Sequence, residues 1–192
     1  MTVMKNLPIL CGALALLAAV ASPARADQQL VAAQSEIAFT SKQMGVPVNG
    51  KFRKFDAQIA FDPKKPEAAK ISFNVDLASA TLGSAETDAE LTKPEWFNTK
   101  AFPQATFVSS GVKATGAGKF EVSGKLTIKS ISHDVVAPVM LTQSGTTTTA
   151  VGGFTLKRLD FKIGEGDWKD TSMVADPVQV QLKFVLTGVG PL

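Results

Sequence analysis

No tyrosine occurs anywhere in this sequence, histidine and cysteine occur once each and tryptophan twice, while phenylalanine occurs twelve times. Each scarcity closes off a class of site. One cysteine cannot form an intramolecular disulfide, and Cys11 sits in the apolar N-terminal run, so the body of the chain has no thiolate ligand either. One histidine, His133, excludes sites built on two imidazoles. With Trp96 and Trp168 as the only indoles and no tyrosine, the chain cannot furnish the two aromatic girdles of an outer-membrane barrel. A charge of one dominant sign is missing as well. The basic stretch Lys51-Phe-Arg53-Lys54 is too short to be more than a solvated strand edge, so neither nucleic acid nor an anionic surface is implied as a partner.

The N-terminus reads as an export signal. Lys5 gives a positive start, Leu7 to Val20 is apolar, and Ala24-Arg25-Ala26 offers small residues at both recognition positions of a signal peptidase. The expectation is a signal peptide over 1–26, cleaved after Ala26, and a single domain over 27–192. A retained anchor is disfavoured because the run is shorter than the roughly 20 residues that span a bilayer. Lipid attachment at Cys11 is not expected, since Leu10 precedes it and the apolar run continues after it. Losing Lys5 and Arg25 reduces the 20 basic residues to 18 against 17 acidic ones, a balance of +1.

What is abundant is alternation. Ile71-Ser-Phe73-Asn-Val75-Asp-Leu77 places apolar residues on one parity, and successive strand residues face opposite sides of a sheet. Seven further segments behave alike: Ile37 and Phe39; Val48 to Phe61 with a slip at Arg53-Lys54 that predicts a bulge; Ala105 to Ser109; Phe120 to Lys129; Val135 to Leu141; Ala150 to Leu156; and Val178 to Leu186. Eight such strands suit an up-and-down antiparallel barrel or a two-sheet sandwich, all-β in either case. Phenylalanine carries no hydroxyl to satisfy, so it suits a face that meets only hydrocarbon. Thr146 to Thr149 reads as a polar strand start or a loop.

The rhythm breaks between Ala78 and Pro103, in the connection between strands three and four. Ser84 to Leu91 predicts a short helix, and Thr92-Lys-Pro-Glu95 resembles a capping box that would start a second. So long a connection in a β domain acts as a lid over a site or as a plug of an open barrel end. Ser132-His133-Asp134 has the residue types of a hydrolase triad, but neighbours on a strand diverge, and a strand-edge histidine is the better reading. Gly164-Glu-Gly-Asp-Trp168 reads as a turn with Trp168 on a rim rather than a headgroup site. Arg158 shares the parity of Phe154 and Leu156, and a guanidinium turned inward there needs an acidic or phosphate partner.

Several blocks resemble the YceI family: Gly50-Lys-Phe52, Thr92-Lys-Pro-Glu-Trp-Phe-Asn98, Phe102-Pro-Gln-Ala-Thr-Phe107, Gly124-Lys-Leu-Thr-Ile128 through Pro138, and Arg158-Leu-Asp-Phe161. The resemblance extends from about Ser35 to Leu186. It implies an eight-stranded lipocalin-like barrel with one or two short helices between strands three and four. It also implies a periplasmic location and an apolar pore for a polyisoprenoid or other long-chain amphiphile. The sequence departs from the family's usual pattern at Thr87, where arginine is frequent before the aspartate, at Lys162, where glycine is frequent, and near Gln43 and Met44, where many members have a histidine.

On this reading Phe39, Phe52, Phe73, Phe107, Phe120, Phe154 and Phe184 form the pore wall with Leu126 and Leu182, Trp96 and Phe97 lie at a lid, and Arg158 and Asp160 meet a headgroup. No cofactor is expected beyond a bound isoprenoid such as a quinone or polyprenyl phosphate. The expected partners are that lipid, an inner-membrane protein that supplies or accepts it, and a second copy of the chain in a homodimer. No convergent acid, base and nucleophile can be assembled, so binding rather than catalysis is expected. A ligand-free structural or stress-related barrel and a lipid-modifying enzyme are the alternatives.

Overall fold

A computed structural model describes residues 28–192; the expected signal peptide lies outside the described residues. The chain runs through β1 (Gln29–Leu30), β2 (Glu36–Gln43), β3 (Val46–Phe52), β4 (Phe55–Ala60), β5 (Lys70–Asp76), β6 (Ala80–Thr81), α1 (Ala85–Leu91), β7 (Gln104–Gly116), β8 (Lys119–Ile128), β9 (Ile131–Ser144), β10 (Thr147–Lys157) and β11 (Pro177–Thr187). One antiparallel sheet carries them in the order β4-β5-β7-β8-β9-β10-β11-β2-β3-β6, with β1 on β11. Thr147 to Thr149 begin β10, so the threonine run is a strand start.

β4 at one end of this sheet and β3, next to the short β6 at the other, belong to one interrupted strand. β3 pairs with β2 and β4 pairs with β5, so the predicted segment Val48 to Phe61 bridges the seam by switching neighbours at Arg53-Lys54. Counting it once, and leaving aside the two-residue β1 and β6, gives the eight expected strands. Phe52 and Phe55 both face inward although three residues apart, which costs the chain one irregular step. Ser79 repairs the gap: its carbonyl accepts the Arg53 N–H at 3.1 Å and its hydroxyl the Lys54 N–H at 3.0 Å. At the other end of β4 the Gln28 side chain stands in for a strand, accepting the Phe61 N–H at 2.8 Å and donating to the Phe61 carbonyl.

Two tight turns at one end of the barrel use residues with positive φ, as twist-compatible hairpin turns require. Met44 (48°) and Gly45 (81°) join β2 to β3, and Lys129 (50°) and Ser130 (62°) join β8 to β9. Above that end lies the 77–103 connection. Ser84 caps α1 by accepting the Thr87 N–H, and the helix stops at Thr92. The expected second helix does not form. Thr92-Lys-Pro-Glu95 folds as turns instead, with the N–H groups of Trp96 and Asn98 both donating to the Lys93 carbonyl and Asn98 at φ 49°.

Buried apolar residues gather in two clusters. Phe61, Val112, Phe120, Phe184, Leu186 and Val189 close the barrel floor, and Leu77, Leu91, Phe97, Phe161 and Ile163 underlie the lidded end. Phe52, Val75 and Leu126 pack against both. Between the clusters the barrel is hollow.

Candidate ligand cavity

The hollow has a volume of about 350 Å³, within the roughly 300–1,000 Å³ of small-molecule sites. Its walls are the inward parity of the strands. Phe39 and Phe52 (ring centroids 5.4 Å apart) face it from β2 and β3, and Phe73 stacks between Phe107 at 5.5 Å and Phe184 at 4.8 Å. Leu126, Phe154 and Leu182 complete the middle, and Phe120 meets Phe61 edge-on at 5.1 Å on the floor. Phe39, Phe73 and Phe154 are half-buried while Phe107, Phe120 and Phe184 are buried. The alternate parity, represented by Lys125 and Gln181, is exposed. This is the reverse of a barrel that meets lipid on its outside.

Glycine makes room for these rings. Gly50 lies directly across from Phe39, and a β-carbon there would sit 2.3 Å from the ring's Cζ. The same distance separates a β-carbon at Gly124 from Cζ of Phe107. Each ring therefore lies flat over a glycine instead of projecting into the lumen.

The lid closes the opposite end with Leu82, Leu91, Trp96, Phe97, Ile163 and Trp168, whose indole packs on Trp96 at 5.3 Å. Two buried cations hold it in place. Arg158 is 1% exposed and spends all five of its N–H donors on backbone carbonyls: Ala175 at 3.1 Å, Ile163 at 2.8 Å, Gly164 at 3.0 Å, Trp168 at 2.6 Å and Val174 at 2.7 Å. Burial lowers its pKa, and Asp176 offsets part of that cost. Arg158 does line the cavity, but neutral carbonyls take the place of the expected acid or phosphate. Its guanidinium has no donor left for a headgroup.

Lys129 does the same for the Trp96 turn. Its ammonium donates to the carbonyls of Trp96 at 2.9 Å, Lys162 at 2.6 Å and Pro94 at 3.3 Å, and Glu165 lies 3.5 Å away. Burial pushes the ammonium below the ordinary lysine range. Alternation alone places Lys129 with the water-facing residues of β8, yet it is 7% exposed because the turn after Ile128 reverses its direction.

Asp160 is exposed and outside the cavity wall, its carbonyl 3.3 Å from Nε2 of His133. The headgroup role expected of Asp160 therefore has no geometric support. The Ser132, His133 and Asp134 side chains diverge as anticipated. Ser132 bonds to Thr127 at 2.7 Å, Asp134 pairs with Lys125 at 2.9 Å, and His133 stands edge-on to Phe161 at 4.9 Å. Lys162, at the position where glycine is frequent in the family it resembles, adopts φ 54°, so that glycine reflects backbone conformation rather than ligand contact. Asp88 is likewise structural, accepting the Leu82 N–H at 2.7 Å, the leading cause of its lowered pKa.

Among the polar side chains that line this end of the cavity, Trp96 belongs to the expected lid, while Ser41 and Glu90 lie outside the expected set. Nε1 of Trp96 and Oγ of Ser41 are buried without a hydrogen-bond partner, and Gln43, Thr87 and Glu90 also line this end. Among the described lining residues the only ionisable ones are Arg158, already saturated, and Glu90.

Residues 28–186 match the YceI-like domain family. The chain belongs to this family. Among solved structures, BcnA of Burkholderia cenocepacia is 43% identical and superposes with a TM-score of 0.80 over 82% of this chain and 99% of that one. A polyisoprenoid binding domain from Saccharophagus degradans, at 16% identity, shares the fold with a TM-score of 0.67 over 84% of this YceI-like chain and 98% of its own. A UPF0312 protein of Azotobacter vinelandii is 39% identical over 87 residues, 45% of each chain. The chain spans less than half the length of this relative and of its counterpart in Pseudomonas putida.

Proposed function

We propose that this YceI-like barrel is a periplasmic carrier that sequesters an isoprenoid or similar long-chain amphiphile, with no chemistry of its own. The observation that carries the reading is the hollow itself: an apolar lumen with a closed floor and two unpartnered donors under its lid. Burial is worth about 0.8 kcal/mol per methylene, so a few isoprene units supply affinity without an ionic anchor. A ligand-free structural barrel has no use for such a void, because unfilled space forfeits packing.

The same end of the cavity favours a neutral headgroup. Trp96 Nε1 is a donor only, and the Ser41 hydroxyl is a donor or acceptor, so each suits a carbonyl or hydroxyl oxygen. A phosphate finds no free cation among the described lining residues and meets the Glu90 carboxylate. This selects a quinone-like or alcohol headgroup over a polyprenyl phosphate.

Native mass spectrometry of the protein purified from its own periplasm tests the carrier role directly. It is expected to show a co-extracted apolar lipid. Absence of any such lipid, with no uptake of added isoprenoids, overturns the reading. For the headgroup, Trp96→Phe and Ser41→Ala are each expected to weaken binding of an isoprenoid quinone about threefold to tenfold, the value of one hydrogen bond, while leaving an isoprenoid hydrocarbon of equal length unaffected. Equal losses for both ligands reject the headgroup assignment. Because the floor sets depth, Phe120→Leu or Phe184→Leu is expected to shift the preferred chain length upward, whereas Lys125→Ala or Gln181→Ala leaves it unchanged. Binding curves across a series of chain lengths check this.

A further inference from the structure

A carrier must meet the surface that holds its cargo, and one feature at the lidded end of the cavity is suited to that and to nothing in the lumen. The β2–β3 hairpin ends in Lys42-Gln-Met-Gly-Val-Pro47, all exposed, with Met44 at 66% and Val46 at 64%. Met173, 41% exposed, comes to the same place from the segment that Arg158 organises: the Met44 N–H donates to the Met173 carbonyl at 2.9 Å, and Gln43 forms a β-bridge with Val174. Gln43, Val48 and Val174 line the cavity, so this apolar lip is continuous with the cavity wall.

Methionine is a poor choice for its position in the turn. Met44 holds φ 48°, a conformation that asparagine or glycine adopts with less strain, and Asn-Gly is the favoured pair for such a turn. A bulky apolar side chain kept there, and kept in water, serves something other than the turn. The charges around the lip complete the pattern. Lys42, in the hairpin tip, and Lys169, in the segment that leads to Met173, are exposed. Of the carboxylates nearby in sequence, Asp170 is occupied by the Ser172 N–H at 2.8 Å and its hydroxyl at 2.7 Å, Asp176 accepts the Leu159 N–H at 3.0 Å, and Asp167 is exposed. Apolar residues at a tip with flanking lysines are the composition that settles at the boundary between headgroups and acyl chains.

We infer that Met44, Val46 and Met173 form a docking lip that seats the lidded end of the cavity on a lipid bilayer, with Lys42 and Lys169 meeting lipid phosphates, so that cargo passes between bilayer and lumen without crossing water. The inference rests on the carrier reading, and the test separates the two. Flotation with vesicles of phosphatidylethanolamine and phosphatidylglycerol reads docking. Binding of N-phenyl-1-naphthylamine, a neutral apolar fluorophore, reads the cavity. Met44→Asn combined with Met173→Ser is expected to lower the vesicle-bound fraction about tenfold, the loss of two buried methionine side chains being partly offset by the remaining valine. Fluorophore binding should stay at the wild-type level. Met44→Asn alone relieves the turn and should melt at or above the wild-type temperature, which separates lost docking from lost fold. Flotation that is absent in the wild type, or unchanged in the double variant, overturns the lip. A wild-type dimer that Met44→Asn converts to monomer also overturns it, assigning the patch to a second copy of the chain. Failure of the wild type to take up the fluorophore counts against the carrier reading, while flotation still decides the lip.

Discussion

Arg158→Met is expected to cost about 3–5 kcal/mol of folding stability, placing it among the exceptional single substitutions. Methionine fills much the same space as the aliphatic stem, so the loss is not a cavity. It is the removal of five donors from five carbonyls spread over residues 163–175, at distances of 2.6 to 3.1 Å. Each carbonyl is worth about 0.5–1.5 kcal/mol as a bonded acceptor, and the segment's partial access to water keeps the total below the sum of five worst cases. Arg158→Lys should recover little, because an ammonium is a point charge that cannot span the fan of acceptors. Gly164 packs against the guanidinium, where a β-carbon would lie 2.3 Å from Nη1. At about 2–4 °C per kcal/mol for a protein of this size, the melting midpoint should fall by about 6–20 °C. A calorimetric midpoint within about 2 °C of wild type would show that the clasp is ornamental. Trp168 and Val174 belong to the same segment, so the variant should also lose ligand retention at temperatures where it is still folded.

Gly50→Ala is expected to act on binding while sparing stability. The added methyl meets Cζ of Phe39 at 2.3 Å, Cε2 at 2.6 Å and Cδ2 of Leu82 at 2.8 Å, all at the free ends of side chains that border empty space. Relief is available in one direction, into the lumen. Phe39 is displaced across the cavity, and ligand must push it back at an overpacking cost of about 1–3 kcal/mol, roughly tenfold or more in affinity. Folding stability should change by less than about 1 kcal/mol, because alanine is the better strand residue and the ring has somewhere to go. Gly153→Ala is the contrast. There the methyl meets the Val180 carbonyl at 2.5 Å, which is backbone and cannot swing aside, so the penalty falls on folding. Isothermal titration with an isoprenoid quinone, alongside thermal melts, checks both variants. A Gly50→Ala protein that binds as well as wild type would mean that ligand does not occupy the space beside Phe39.

Most of the barrel was legible because its two faces meet different media. Phe73, Leu126, Phe154 and Leu182 could be assigned to the inner face from parity alone, since a half-step error would have put them all in water. The slip at Arg53-Lys54 was legible for the same reason, as a break in an otherwise regular period. The short helix was legible from Ser84 and the residues after it. The supposed capping box at Thr92 was not, because its pattern describes local hydrogen bonding and is equally served by the end of one helix and a run of turns.

The polar residues were misread in a consistent way. Arg158 was recognised as inward, but sequence offered only acids and phosphates as its partners, because backbone carbonyls leave no trace in residue identity. Asp160 was paired with it through the Arg158-Leu-Asp-Phe161 block of the family resemblance. Lys129 looked solvent-facing until the turn that follows it was seen to carry the chain back under the lid. Trp96 is expected at the lid, but neither its unpartnered Nε1 nor Ser41 is signalled by residue order, since an unsatisfied donor exists only relative to neighbours that folding brings near.

The sequence by itself determined that this chain builds an antiparallel β structure with a dry face and a wet one, because a period of two and the burial of hydrocarbon are local properties of residue order. Only the tertiary structure decided that the dry face encloses a cavity instead of a filled core. That depends on how eight strands close through a single kinked one, on rings lying flat against glycines, and on which distant carbonyls two buried cations gather into a lid.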